Sequence, residues 1–308
     1  MLVNYSISDI IDYINWTYFF HAWGFPQKFS GISQIHGCDA CQRSWVNCFD
    51  SSERLRAEEA LALYHEACHR LSTMHNNVSI RCSIKLFPCY SDEDDIVLIV
   101  GEKEFRLPML RSLRPDKEGY CLSLADFIHE RGNVYDRIGV FATSVSVAPP
   151  PVSASGSISL HVDTAISGDG YEALLVQTLS DRLAEAAAEK LHETVRKEIW
   201  GYAPDESLSI KDLHLEKFQG IRPAVGYPSL PDISVNFLLD ELLDFSSIGI
   251  SLTDNGMMIP HASVSGLMLS EASAHYFDIG EITDEQLEDY ARRRGMKKEE
   301  IKRFLNEK

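Results

Sequence analysis

Apolar residues recur along this chain with two different periods. Over about 52–73, Leu55, Leu63, Ala67 and Leu71 repeat at helical spacing, and Asp50 or Ser51 stands where a helix cap belongs. The longest pattern covers about 170–199. There Leu175, Leu179, Leu183, Ala187, Leu191, Val195 and Ile199 return every four residues as one stripe, and the remaining face is largely charged. Shorter helices are predicted at 234–243, from Thr283 onward and at 298–305. Thr283-Asp-Glu-Gln286 has the form of a capping box, and Gly295 suits a left-handed helix end. The strand period appears at 78–86, where Val78, Ile80, Cys82, Ile84 and Leu86 alternate with mostly polar neighbours. Segments 96–100 and 105–110 flank the turn Gly101-Glu-Lys103 and read as a hairpin. Segment 137–147 is a further strand, stopped by the prolines at 149–151, and the run through Gly156 reads as a loop. Residues 13–23 are dense in aromatic rings and residues 24–50 read as irregular, as does the turn-rich stretch after Gly201. Regular strand–helix–strand alternation is missing. The pattern therefore predicts an α+β fold with antiparallel pairing, and the length allows one large domain or two ordinary ones.

Composition narrows the partners. The 308 residues are 44% hydrophobic and 24% charged, which is ordinary for a globular chain. The formal net charge of -17 argues against nucleic acid and against anionic membrane surfaces, because both require clustered Lys and Arg. The longest continuous aliphatic run is 96–100, far short of the ~18 apolar residues that span a bilayer. The N-terminus lacks the basic start and apolar stretch of a secretory signal. Seven cysteines, an odd number, favour free thiols in a reducing cytoplasm.

Generic catalytic signatures are missing: there is no G-x-G-x-x-G, P-loop, H-E-x-x-H or G-x-S-x-G. Ser167-Gly-Asp-Gly170 is a glycine-rich turn and nothing stronger. Two segments remain. His36, Cys38 and Cys41, with Cys48, carry ligand types for a tetrahedral zinc site, the alternative being a set of unpaired thiols. The second is 220–232. Its prolines hold the backbone extended, with N–H and C=O groups available to a ligand. Arg222 suits a carboxylate, and Tyr227 offers a flat face to a purine-like ring. By spacing alone, a rigid surface loop with a structural ion pair is the better explanation of the segment.

Arg222-Pro-Ala-Val-Gly-Tyr-Pro228 followed by Pro231-Asp232 resembles the motif of the activation domain of vitamin B12-dependent methionine synthase. Asp181-Arg-Leu-Ala-Glu-Ala186, Trp200-Gly-Tyr-Ala-Pro204, Gln219-Gly-Ile-Arg222, Ala262-Ser-Val-Ser-Gly266 and Glu288-Asp-Tyr-Ala-Arg-Arg293 fit that family at consistent spacing. So do Trp16-Thr-Tyr-Phe-Phe20, Leu124-Ala-Asp-Phe127 and Ile138-Gly-Val-Phe-Ala142 upstream. The likeness is strong after residue 170 and patchy before it, and it implies an α+β fold over residues 1–308: a single elongated domain with an antiparallel sheet and long flanking helices.

The resemblance implies binding of S-adenosylmethionine and reductive remethylation of cobalamin held on a separate methionine synthase module. The reduction uses a flavodoxin-type electron donor, and the process supports methionine biosynthesis. It places Arg222 on the methionyl carboxylate and Pro223, Ala224, Gly226 and Tyr227 along the adenosyl part. Glu185, Tyr276, Phe277 and Glu53 complete the contacts. No D-x-H-x-x-G corrinoid signature is present and homocysteine and folate barrels do not fit, so action in trans is expected, as a methyltransferase component rather than a complete methionine synthase. Three departures stand out: Phe277 replaces the second tyrosine of a Tyr-Tyr pair, His261 stands at a usual glycine, and Leu230 and Ile233 replace a Cys and a His. They leave two alternatives, a non-catalytic sensor of S-adenosylmethionine or another small ligand, and a structural subunit of a split methionine synthase.

Overall fold

The computed structural model describes residues 1–132, 135–148 and 170–305. The sequence readings at 149–151, Gly156 and 167–169 fall outside them. In chain order the strands are β1 (Leu2–Tyr5), β2 (Val78–Asp92), β3 (Asp95–Val100), β4 (Lys103–Pro108), β5 (Asp136–Val147), β6 (Ser251–Leu252), β7 (Met258–Ile259) and β8 (Ser263–Met268). The α-helices are α1 (Ile7–Ile10), α2 (Trp16–Ala22), α3 (Asp39–Asn47), α4 (Arg54–Met74), α5 (Gly170–Thr194), α6 (Ile210–His214), α7 (Val235–Leu243), α8 (Asp284–Arg294) and α9 (Lys298–Phe304). The main sheet runs β4-β3-β2-β5-β8, with β1 also paired to β2, and the pairings β2–β3, β3–β4 and β5–β8 are antiparallel. This is the α+β class expected from the sequence.

Backbone contacts group the chain into two compact units. The first comprises Met1–Val3, Arg81–Ser144 and Ala188–Lys308. Its larger core joins Leu98, Ile138, Val140, Leu239, Phe245 and Leu267. A smaller core gathers Leu287, Tyr290 and Ile301 from α8 and α9. The second unit comprises Asn4–Ile80 and Val145–Ala187. There the aromatic run becomes α2, with Phe19 and Phe20 fully buried and Trp16 edge-on to Tyr64 of α4. Segment 24–50 is not wholly irregular. A 3-10 stretch, Gln27–Gln34, precedes α3, which buries Val46.

The β3–β4 hairpin forms as expected, closing at Val100↔Lys103 around Gly101, whose φ of 64° a side chain rarely adopts. Thr283 caps α8 by accepting from the Gln286 N–H at 3.3 Å. The reciprocal half of the box is diverted, because the Gln286 side chain donates to the Arg111 carbonyl instead. The stripe of α5 is buried as predicted from Leu179 through Val195. The helix then widens into a π turn, Val195–Ile199, closed by the Trp200 N–H to the Val195 carbonyl at 2.9 Å. The charged face is not wholly solvated: His192 and Arg196 are fully buried.

Candidate functional site

The first-unit part of the candidate site is built where segment 221–225 runs antiparallel to β8. Ile221 and Leu269 exchange both backbone hydrogen bonds at 3.0 Å. Leu267 N–H then donates to the Pro223 carbonyl at 3.0 Å and Val225 N–H to the Ser265 carbonyl at 2.9 Å. This register places Ile221, Pro223 and Val225 in bonding positions toward β8, so the N–H groups of Arg222 and Ala224 point away from it. Pro223 occupies a position whose N–H would have faced Leu267, a loss an edge segment tolerates. Ala224 lies directly opposite Gly266. A Cβ on Gly266 would come within 2.2 Å of the Pro223 carbonyl oxygen, so only glycine permits this approach. Gly220 is fixed in the same way, since its φ is 80° and a Cβ there would lie 2.1 Å from the Leu269 carbonyl. Gly226, at φ 88°, then turns the chain, and its N–H donates to Leu230.

The outward face is polar at one end and aromatic at the other. The Arg222 N–H donates to the Tyr276 hydroxyl at 2.9 Å, and its guanidinium donates to Glu189 at 2.8 Å. Both members of that pair are only 12% exposed. Burial raises the carboxyl pKa of nearby Glu216, and Arg222 partly offsets this by attraction. The Tyr276 hydroxyl is likewise pushed up by burial. Behind Arg222, His192 is held neutral, its pKa well below 6.5 because it is buried and lies close to Arg222 and Arg196. Arg196 makes a bidentate pair with Glu206, with contacts of 2.6 to 3.1 Å. At the other end Tyr227 is 51% exposed. An open cleft of about 220 Å³ adjoins it, lined by Gly226, Tyr227, Pro231, Asp278, Ile279 and Gly280.

Asp232, the acidic residue of the motif, is not part of this surface. It is buried and pairs with Arg294 at 2.8 Å while accepting from Tyr290 at 2.7 Å. It ties the end of the loop to α8.

The sequence-predicted residues thus divide. Arg222, Pro223, Ala224, Gly226, Tyr227 and Tyr276 assemble on one segment and its neighbour. Phe277 is half-buried, 6.1 Å from the Phe127 ring, and packs against both cores of the first unit. His261 is exposed in the turn before β8. Glu185 is partly buried on α5, one turn before Glu189. Glu53 belongs to the second unit, at the start of α4, where it is partly buried and paired with Lys28. Of the four proposed zinc ligands, His36, Cys38 and Cys41 come together, their ligand atoms all within 4.8 Å of one another. Cys48 does not join them: it caps the far end of α3 and its thiol donates to the Ser44 carbonyl at 3.2 Å. Sequence reasoning missed Glu189 and Glu216. Glu189 carried a usable signal, its four-residue spacing from Glu185.

The sequence profile described as "Vitamin B12 dependent methionine synthase, activation domain" matches residues 6–295. The chain belongs to this family. A solved structure, described as the crystal structure of the MetH reactivation domain bound to AdoHcy, is similar with a TM-score of 0.81 and 32% identity. That match covers 99% of this chain and 89% of the other. Among the described residues no helix is long and apolar enough to cross a membrane.

Proposed function

We propose that segment 222–227 binds S-adenosylmethionine and presents it to cobalamin carried by a separate methionine synthase module, for reductive remethylation. One observation carries this reading. A nearly buried guanidinium is fixed by Glu189 at the head of a segment whose alternate N–H groups face away from the sheet, and an exposed tyrosine ring lies five residues on. The chain's own residues fit the ligand. A guanidinium has five N–H donors, so a pair with Glu189 and a bidentate grip on a methionyl carboxylate can coexist. The outward Ala224 N–H is placed for the polar groups of the adenosyl part, and Tyr227 for its base. The Tyr276 hydroxyl, bonded to the Arg222 N–H, holds the segment's position. When bound, S-adenosylmethionine supplies a sulfonium methyl group, and fixing it in line with the acceptor is the protein's main contribution. The 308 residues hold no corrinoid signature, so the cobalamin comes from outside them, and the reduction requires an electron donor of flavodoxin type.

Calorimetric titration of S-adenosylmethionine into the purified protein tests this, with Arg222→Ala alongside. Wild type should bind saturably, and the variant should lose about 1.5–3 kcal/mol, the worth of a charged hydrogen bond. Because Arg222→Ala leaves Glu189 buried without its partner, Arg222→Ala/Glu189→Gln is compared as well, with melting curves for each. Absence of binding by folded wild type would reject the reading. Phe277 favours one second reading, that of a sensor which binds without remethylating, since a hydroxyl is missing from a position that packs into the core. Remethylation of a cob(II)alamin module only when this protein is present would exclude it.

A further inference from the structure

We infer that His36, Cys38 and Cys41 form a three-ligand site for a thiophilic divalent metal, zinc above all, with the fourth coordination position open to water or an external ligand. The local fold makes the site. Cys38 is the N-cap of α3, with extended backbone at φ -81° and ψ 148°, and Cys41 is the third residue inside the helix. These two positions face each other across the first turn, as the partners of a capping box do. His36 folds back over them, its Nδ1 accepting the Cys38 N–H at 3.3 Å. Gly37 between them has open space where a Cβ would sit, so the bend is unobstructed.

The donor atoms of the three residues lie within 4.8 Å of one another. A tetrahedral zinc with Zn–S bonds of about 2.3 Å needs sulfur atoms roughly 3.8 Å apart, so small side-chain rotations close the site. Two thiolates and one imidazole are a known donor set for zinc, and one that leaves room for a fourth ligand. That ligand is not Cys48. It lies seven residues beyond Cys41 along α3, a rise of about 10 Å, with its thiol bonded to its own helix. Cys38 and Cys41 are both free and exposed, so solvent reaches the open position.

The helix that carries the cysteines is anchored without the metal. Trp45 is edge-on to Phe49 at 4.9 Å, and Phe49 stacks on Phe29 at 5.0 Å. Binding should therefore occur on a folded protein and release protons from both thiols as metal–sulfur bonds form.

The test is titration of the fully reduced protein with Co²⁺, thiols having been counted beforehand, followed by displacement with Zn²⁺. We expect about one equivalent of Co²⁺ per chain, with the near-ultraviolet charge-transfer band of thiolate ligation and the visible bands of a tetrahedral ion. Zn²⁺ should abolish both. Cys38→Ser, Cys41→Ser and His36→Ala should each weaken binding at least the roughly tenfold that loss of even an outer partner costs. Cys48→Ser should leave it unchanged. No Co²⁺ band in the reduced wild type, or equal loss in Cys48→Ser, overturns the proposal.

Discussion

His192 shows how a single side chain couples this structure to pH. It is fully buried and its pKa lies well below 6.5, owing first to burial and then to the Arg222 and Arg196 charges. The unfolded chain protonates this histidine near 6.5 while the folded chain keeps it neutral. Below that pH the unfolded state therefore binds one more proton, and stability falls as pH drops, by up to about 1.4 kcal/mol per pH unit. Above it the contribution is fully present. Chemical denaturation of wild type and His192→Gln between about pH 5 and 7 should show a slope shallower by nearly one proton in the variant. Equal slopes would mean that the imidazole is charged in the fold. This residue was not legible in the sequence. A histidine on the charged side of a long amphipathic stripe reads as solvated, and nothing local reveals that the loop after α5 covers it with Tyr202 and Phe218. The extended loop that carries Arg222 and Tyr227 was legible for the opposite reason: its prolines constrain it, and its motif resembles that of the family.

Among the elements, the contact between segment 221–225 and β8 is the one on which the proposed site depends. Gly266→Ala should push the segment away from β8, because the added carbon would overlap the Pro223 carbonyl and approach the Ala224 Cα at 2.8 Å. We expect a stability loss of about 1–3 kcal/mol and a clear weakening of S-adenosylmethionine binding, read by melting and by titration. Retained affinity would show that the segment's seat on β8 does not set the site. β8 itself escaped the sequence reading, since its alternation lasts only from Ser263 to Ser265 before Gly266 and the adjacent Leu267 and Met268 interrupt it. Gly266 is there because a second backbone presses on it. α3 escaped for another reason: it is short, and it buries little beyond Gln42 and Val46. By contrast α4, α5 and the β3–β4 hairpin were legible because each keeps one period over enough residues to exclude the other.

For the molecule as a whole, the net charge of -17 governs encounter more than affinity. An acidic redox partner should associate faster as salt is added, with most of the gain reached near 0.1 M, where the Debye length is about 10 Å. Stopped-flow mixing with a flavodoxin at several ionic strengths measures this directly. A rate that falls with salt would instead reveal a local basic patch that guides the partner. Length is constrained more tightly than charge. The π turn Val195–Ile199 holds one residue more than a regular α-helical turn would. Deleting any residue there would let α5 continue as an ordinary helix and swing the following chain by about 100° around its axis. Glu206 would then leave Arg196, and the stretch that covers His192 would move with it. Homologous chains should accordingly reject insertions and deletions across this turn, so that an alignment gap inside it would mark a chain whose buried cluster of His192, Arg196 and Glu206 has been rebuilt.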